Sequence, residues 1–160
     1  MQVAIKNAKI VLGVSAGIAV YKAVEILRLL VKEGADVRVV MSANAGKFVT
    51  PLTFAALSGN PVYHSLFDSQ NSADMEHIRV AENADLLVVA PATASMLGKM
   101  AHGLADDALS NLHLAFKGSV LVAPAMNEGM WEHPAVKNNI DILKSRGVDF
   151  VDPAFGALAC

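Results

Sequence analysis

KIVLGVSAGIAVYKAVEILRLLVKEGADVRVVM, residues 9 to 41, changes its hydrophobic period twice. Lys9 to Val14 is a short apolar run with Gly13 near its end. From Ile18 to Lys32, Ile18, Tyr21, Ala23, Val24, Leu27, Leu30 and Val31 recur at helical spacing, and Gly34 is placed to stop that helix. Asp36 to Met41 (DVRVVM) is a second β-branched run. The stretch therefore reads strand, tight turn, helix, strand. A crossover of this length predicts a parallel strand pair.

The same grammar continues. Leu86 to Ala90 and Val120 to Ala123 each end in Ala-Pro, and Val148 to Val151 ends in Asp152-Pro153, which predicts three more strands stopped at those points. Helical stretches are expected at Thr53 to Leu57, Glu76 to Asn83, Ala94 to Met100, Ala105 to Phe116 and Ala135 to Arg146. Strands alternating with helices predict an α/β fold, an open parallel sheet with helices on both faces, in a single domain over residues 1–160. Sites in such sheets gather at the carboxyl ends of the strands.

Composition narrows the classes of function. Fifteen acidic against thirteen basic residues give a net charge of -2, and no run of Lys or Arg marks a nucleic-acid footprint. At 54% hydrophobic and 18% charged residues the chain is more apolar than a monomer needs, so a homo-oligomer is expected. The apolar runs are too short to span a membrane and the N-terminus lacks a signal-peptide pattern, so a cytoplasmic location is expected. A single cysteine, Cys160, makes no internal disulfide and leaves a thiol to explain.

Four segments are candidates for chemistry. In GVSAGIAVYK, residues 13 to 22, small residues at a strand-to-helix turn let backbone N–H groups approach a phosphate; equally, they make a tight turn and cap a helix. The spacing fails the dinucleotide fingerprint, since position 15 is Ser. In APATASMLGKMAHGLADD, residues 90 to 107, amides and hydroxyls can meet the edge of a flat polar ring, or Thr93 or Ser95 can serve as an N-cap. Asp106 and Asp107 lack companions at ligand spacing, so a solvated or capping role is expected and no metal. His77 falls near the start of its helix, where a surface or capping role is the default for it as for His64, His102, His113 and His133. In PAMNEGMW, residues 124 to 131, Asn127 can donate and accept hydrogen bonds, while Met126, Met130 and Trp131 offer an adaptable apolar wall. That suits a carboxylate attached to an apolar or sulfur-bearing group; a helix cap with methionine filler is the alternative.

In order, GVSAGIAVYKA, VVMSANAGKFVTPLTFAALSG, HIRVAENADLLVVAPATA, KMAHGLADD, PAMNEGMW and GALAC resemble the flavin-dependent cysteine decarboxylase family, from about residue 8 to residue 160. They are closest to the branch that serves coenzyme A synthesis. The resemblance implies a Rossmann-like or flavodoxin-like domain binding FMN, assembled as trimers that pack into a dodecamer. It places Gly13, Ser15, Ala16 and Gly17 in the turn near the FMN phosphate, with Ser42 and Thr93 nearby, Ser95 at the flavin ring and Phe48 beside it. It makes His77 the active-site histidine and Asn127 the holder of the substrate carboxylate. Ala125, Met126 and Met130 fall in the same clamp, and Cys160 is the acid that completes the reaction. The implied chemistry is oxidation of a small molecule's cysteinyl end to a thioaldehyde, loss of CO2 to an enethiolate, and return of the electrons.

Two positions depart from the family: Ala16 stands where Gly is frequent and Ser95 where Asn is usual. The family pattern also runs past the cysteine into a glycine-rich flap, which implies that these residues are the decarboxylase part of a longer chain with a fused synthetase domain. A peptidyl-cysteine decarboxylase, a flavin prenyltransferase and a non-catalytic FMN-binding subunit are the competing readings.

Overall fold

The computed structural model describes residues 4–66 and 79–152. In chain order these form β1 (Lys9–Val14), α1 (Val20–Lys32), β2 (Asp36–Met41), a 3-10 turn (Ala45–Lys47), α2 (Pro51–Ser58) and β3 (Leu86–Ala92). There follow α3 (Ala94–His102), α4 (Ala108–Ala115), β4 (Ser119–Pro124), α5 (Glu128–Glu132), α6 (Pro134–Ser145) and β5 (Asp149–Phe150). Residues 79–82 are also helical. The strands make one sheet in the order β2-β1-β3-β4-β5, every pairing parallel. The predicted fold class is thus the observed one.

Apolar side chains alternate between the two faces of the sheet. Leu12, Val14, Val39 and Met41 pack under α1 and α2 through Val20, Ala23, Leu27 and Phe54. On the other face Val11, Leu87, Val89 and Val122 meet Leu97 and Met100 of α3, Leu109 and Leu112 of α4, and Ile140 and Leu143 of α6. Helices cover both faces because each crossover returns the chain to a parallel neighbour.

The boundaries differ from expectation where a side chain or a turn intervenes. α1 begins at Val20 instead of Ile18, because residues 16–19 form a turn closed by Val20 N–H donating to Gly17 O at 3.0 Å. α4 begins at Ala108 instead of Ala105, because Asp107 takes the N-cap: its carboxylate accepts from Ser110 N–H at 2.8 Å in a buried capping box. The Ala-Pro pair ends β4, whose last residue is Pro124, but does not stop β3, which passes through a cis Ala90-Pro91 peptide to Ala92 with a register shift between Val89 and Ala92. Proline is tolerated at both places because an irregularity and a strand end need no N–H.

Gly13 belongs to β1 itself, paired with Val40 and Val89. A Cβ there would lie 2.5 Å from Leu109 Cδ1, and Leu109 is fully buried, so α4 sits on the bare backbone of β1. Gly13→Ala is expected to cost about 1–3 kcal/mol by overpacking, with part recovered in Gly13→Ala/Leu109→Val. Urea denaturation measures both, and a silent Gly13→Ala would remove the constraint.

His113 in α4 is half-buried, and burial, helped by the Arg146 guanidinium, holds its pKa below the ordinary histidine value. The unfolded chain takes up a proton near pH 6.5 while the folded chain resists it, so His113 stabilises the fold above about pH 6.5 and that contribution is lost as pH falls below it. Denaturation midpoints between about pH 7.5 and pH 5 should fall less steeply in His113→Gln than in the parent; identical slopes would assign the acid sensitivity elsewhere.

Candidate active site

Strand order reverses between β1 and β3, since the chain leaves β1 for β2 on one side and later enters β3 on the other. Open α/β sheets bind ligands at such a switch point, outside the carboxyl ends of the strands. A row of backbone hydrogen bonds aligns those ends here. Ser42 N–H donates to Val14 O at 2.9 Å, Ser15 N–H to Pro91 O at 3.2 Å, and Ala125 N–H to Ala92 O at 3.0 Å. The loops after β2, β1, β3 and β4 therefore leave the sheet side by side.

The loop after β1 presents donors. Ala19, the N-cap of α1, offers no side-chain cap, and the first turn holds no acid. The N–H groups of Ala16, Gly17, Ile18 and Ala19 find no acceptor among the described residues. Gly17 lies against the next loop, where an added Cβ would come within 3.3 Å of Thr93 Cγ2. Residues 15–24, 42–66, 93–105 and 125–127 include no Asp or Glu. Unpaired N–H groups at a helix start, with no acid in its first turn, fit a phosphomonoester.

Ser15 is 1% exposed, and its hydroxyl donates to Pro91 O at 2.6 Å and accepts from Thr93 N–H at 3.0 Å. It holds two loops together instead of opening toward a ligand. Thr93 is the N-cap of α3, accepting from Met96 N–H at 3.2 Å as one reading of the sequence expected, and Ser95 is exposed in the first turn of that helix. Ser42 sits at the end of β2 with no hydrogen-bond partner for its hydroxyl among the described residues. Phe48, 49% exposed, closes the 3-10 turn that follows.

On the β4 side, Asn127 is exposed and caps α5, its Oδ1 accepting from Met130 N–H at 2.8 Å. Because an N–H needs an oxygen, this bond fixes the amide and leaves Nδ2, a donor, at the surface. Met130 is 44% exposed beside it, while Ala125 and Met126 are half-buried, Met126 against the core. Trp131 packs on the same core with Lys137 Nζ 4.9 Å from its ring centre. The cap is present, and of the three apolar residues beside it Met126 and Trp131 pack on the core while Met130 is exposed.

His77 and Cys160 lie outside the described residues. His102 pairs with Asn139 at 2.9 Å, and His133 caps α6 by accepting from Ala135 N–H at 3.1 Å, so both keep the default role. Lys99 ties the α3–α4 turn through Asp106 at 2.8 Å and Asp107 at 3.2 Å; the hydrogen bond raises the lysine pKa and lowers that of Asp106. The small residues of this turn predict its open amides, but nothing in the sequence predicts the Pro91 carbonyl, a backbone group without a residue signature. One hollow lies between Lys9, Arg38 and Arg79 at the opposite end of β1 and β2, and another on the outer face of α1.

The family model described as Flavoprotein matches residues 2–160. The chain belongs to the Flavoprotein family. Among curated relatives of this flavoprotein, the coenzyme A biosynthesis bifunctional protein CoaBC of Bacillus subtilis (strain 168) is 49% identical over 156 residues, covering 98% of this chain. The chain spans only 38% of that relative's length. Among solved structures it is similar to the FMN-dependent cysteine decarboxylase SpaF, with a TM-score of 0.87 and 31% identity over 96% of this chain and 88% of the other. It is also similar to a mutant PPC decarboxylase complexed with pantothenoylaminoethenethiol, with a TM-score of 0.84 and 29% identity over 96% and 86%.

The double use of Asn127 is separable. Asn127→Asp keeps an oxygen for Met130 N–H and should leave thermal stability unchanged, whereas Asn127→Ala should cost about 1 kcal/mol as a lost N-cap. Equal melting temperatures for all three proteins would show that the cap is not used.

Proposed function

We propose that this chain binds FMN along the carboxyl edge of its sheet and decarboxylates 4'-phosphopantothenoylcysteine to 4'-phosphopantetheine, a carboxy-lyase step of coenzyme A synthesis in the cytoplasm. The observation that carries the reading is the fixed Asn127 amide, whose outward donor stands beside exposed Met130 on the edge that also holds the uncapped start of α1. Curated relatives named as coenzyme A biosynthesis proteins, and structures named as FMN-dependent cysteine decarboxylases and PPC decarboxylase, support it.

When bound, FMN would supply a reversible two-electron sink, which a cysteinyl carboxylate needs before it can lose CO2. The residues fit that cofactor: the N–H groups of 16–19 for its phosphate, Ser42 and Thr93 at the strand ends, and Ser95 and Phe48 for the ring. Asn127 Nδ2 would donate to the substrate carboxylate without neutralising it, so the group stays ionised and ready to leave as CO2. The apolar surface of Met126 and Met130 would suit the sulfur-bearing end and exclude water around the departing charge. His77 would face the flavin, and Cys160 would donate the proton that completes the product.

The exposed apolar residues near this edge also support a homo-oligomer, in which a second copy covers part of it. We read it as a trimer able to pack into a dodecamer. Ile18, Tyr21, Phe48 and Leu52, each at least 49% exposed, provide apolar surface on that side of the molecule. A fused synthetase domain is the natural companion, as the name bifunctional implies for the relatives.

The purified protein should be yellow with an FMN spectrum and, incubated anaerobically with phosphopantothenoylcysteine, should release CO2 and form phosphopantetheine. His77→Asn and Asn127→Asp should abolish turnover, and Cys160→Ser should accumulate the unreduced enethiol. Turnover of a peptide ending in cysteine instead would replace the substrate; a colourless protein unable to take up FMN would sink the reading.

A further inference from the structure

We propose that Ser15 is a positioning residue that sets the distance between the two loops of the switch point, and that its hydroxyl makes no contact with the bound cofactor. This rests on the FMN reading above. The parallel ladder between β1 and β3 ends at Gly13↔Val89, yet β3 continues through its register shift to Ala92. Beyond Gly13 the backbones no longer pair in register, and the connection passes to Ser15. Its N–H donates to Pro91 O at 3.2 Å, its hydroxyl to the same carbonyl at 2.6 Å, and its Oγ receives Thr93 N–H at 3.0 Å.

A serine hydroxyl has one proton and two lone pairs. The proton is committed to Pro91 O at 2.6 Å, with Thr93 Oγ1 only a distant second acceptor at 3.5 Å, and one lone pair receives Thr93 N–H. The side chain is also shut from solvent. No donor is left for a phosphate. Ser15 instead registers the turn that presents the 16–19 amides against the first turn of α3, with Gly17 bare of a Cβ to allow the approach to Thr93.

The two roles differ in what they predict for a flavin without a phosphate. A serine that only touches the phosphate leaves riboflavin binding and the dichroism of bound riboflavin untouched; one that spaces the two loops displaces the phosphate-facing amides and the ring-facing Ser95 together, and so weakens both ligands, FMN the more. Apo-protein titrated with FMN and with riboflavin, followed by flavin fluorescence and visible circular dichroism, separates them. Ser15→Ala should weaken FMN and, to a smaller extent, riboflavin, and should alter the dichroism of both bound flavins. Ser15→Cys, of nearly the same shape but a poor hydrogen-bond former, should shift both in the same direction and decides the matter if Ser15→Ala does not fold. Loss confined to FMN, or unchanged affinity for both ligands in a folded variant, would overturn the proposal. Failure of the parent protein to bind FMN at all would instead overturn the cofactor reading.

Discussion

The pairing of β1 on both sides by parallel strands is the constraint from which the rest of the molecule follows. A parallel pair cannot be joined by a tight hairpin, so the chain must leave β1 through a helix on one face to reach β2 and come back on the other face to reach β3 and β4. Two helices that depart in opposite senses cannot both cover the end of β1. The vacancy between them lies at the carboxyl edge, and in this chain it opens between residues 15–19 and 93–96. The edge is kept level by the backbone bonds from Ser42, Ser15 and Ala125 to the strands beside them. Those bonds need no particular side chain, which frees the neighbouring positions for recognition.

Electrostatics then favours a negatively charged guest. Residues 15–24, 42–66 and 93–105 lack carboxylates, and the start of α1 is left without a side-chain cap although Thr93 caps α3 and Asp107 caps α4. An uncapped helix start exposed to water forgoes about 1 kcal/mol that a capping side chain would have contributed. A sequence that places Ala19 there leaves those N–H groups without a side-chain acceptor. The cost is tolerable because the core on either face is fully formed.

Most of the fold was legible because each element announces itself by period. β1 and β2 match their expected ranges, and α6 differs from its range by one residue at each end, since apolar alternation and a 3.6-residue stripe are properties of the sequence itself. What failed was one piece of punctuation. Pro124 ends β4 as expected, whereas Pro91 sits inside β3 at a register irregularity where a missing N–H does no harm, and whether a proline is such a place depends on the neighbouring strand. The site was legible in part for the same reason. Asn127 and Met130 stand out by residue type, but the direction in which the Asn127 amide points is decided by an N–H three residues on, and the part played by Ser15 by a carbonyl 76 positions away.

Gly13 and Gly17 show why a glycine-rich turn is hard to interpret from its letters. Both fall in one motif, and the resemblance places both near a phosphate. Gly13 is a strand residue, and the space its missing Cβ leaves is filled by Leu109 from α4, on the side of the sheet away from α1. Gly17 lies in the turn, where a Cβ would press on Thr93. The first glycine therefore sets how closely a helix packs and the second how closely two loops approach. Substituting either by alanine would disturb the edge, but by different routes: through the seat of α4 under the sheet in one case, and directly through the spacing of the anion-facing amides in the other. The distinction rests on what each residue faces, Leu109 of α4 for Gly13 and the Thr93 loop for Gly17.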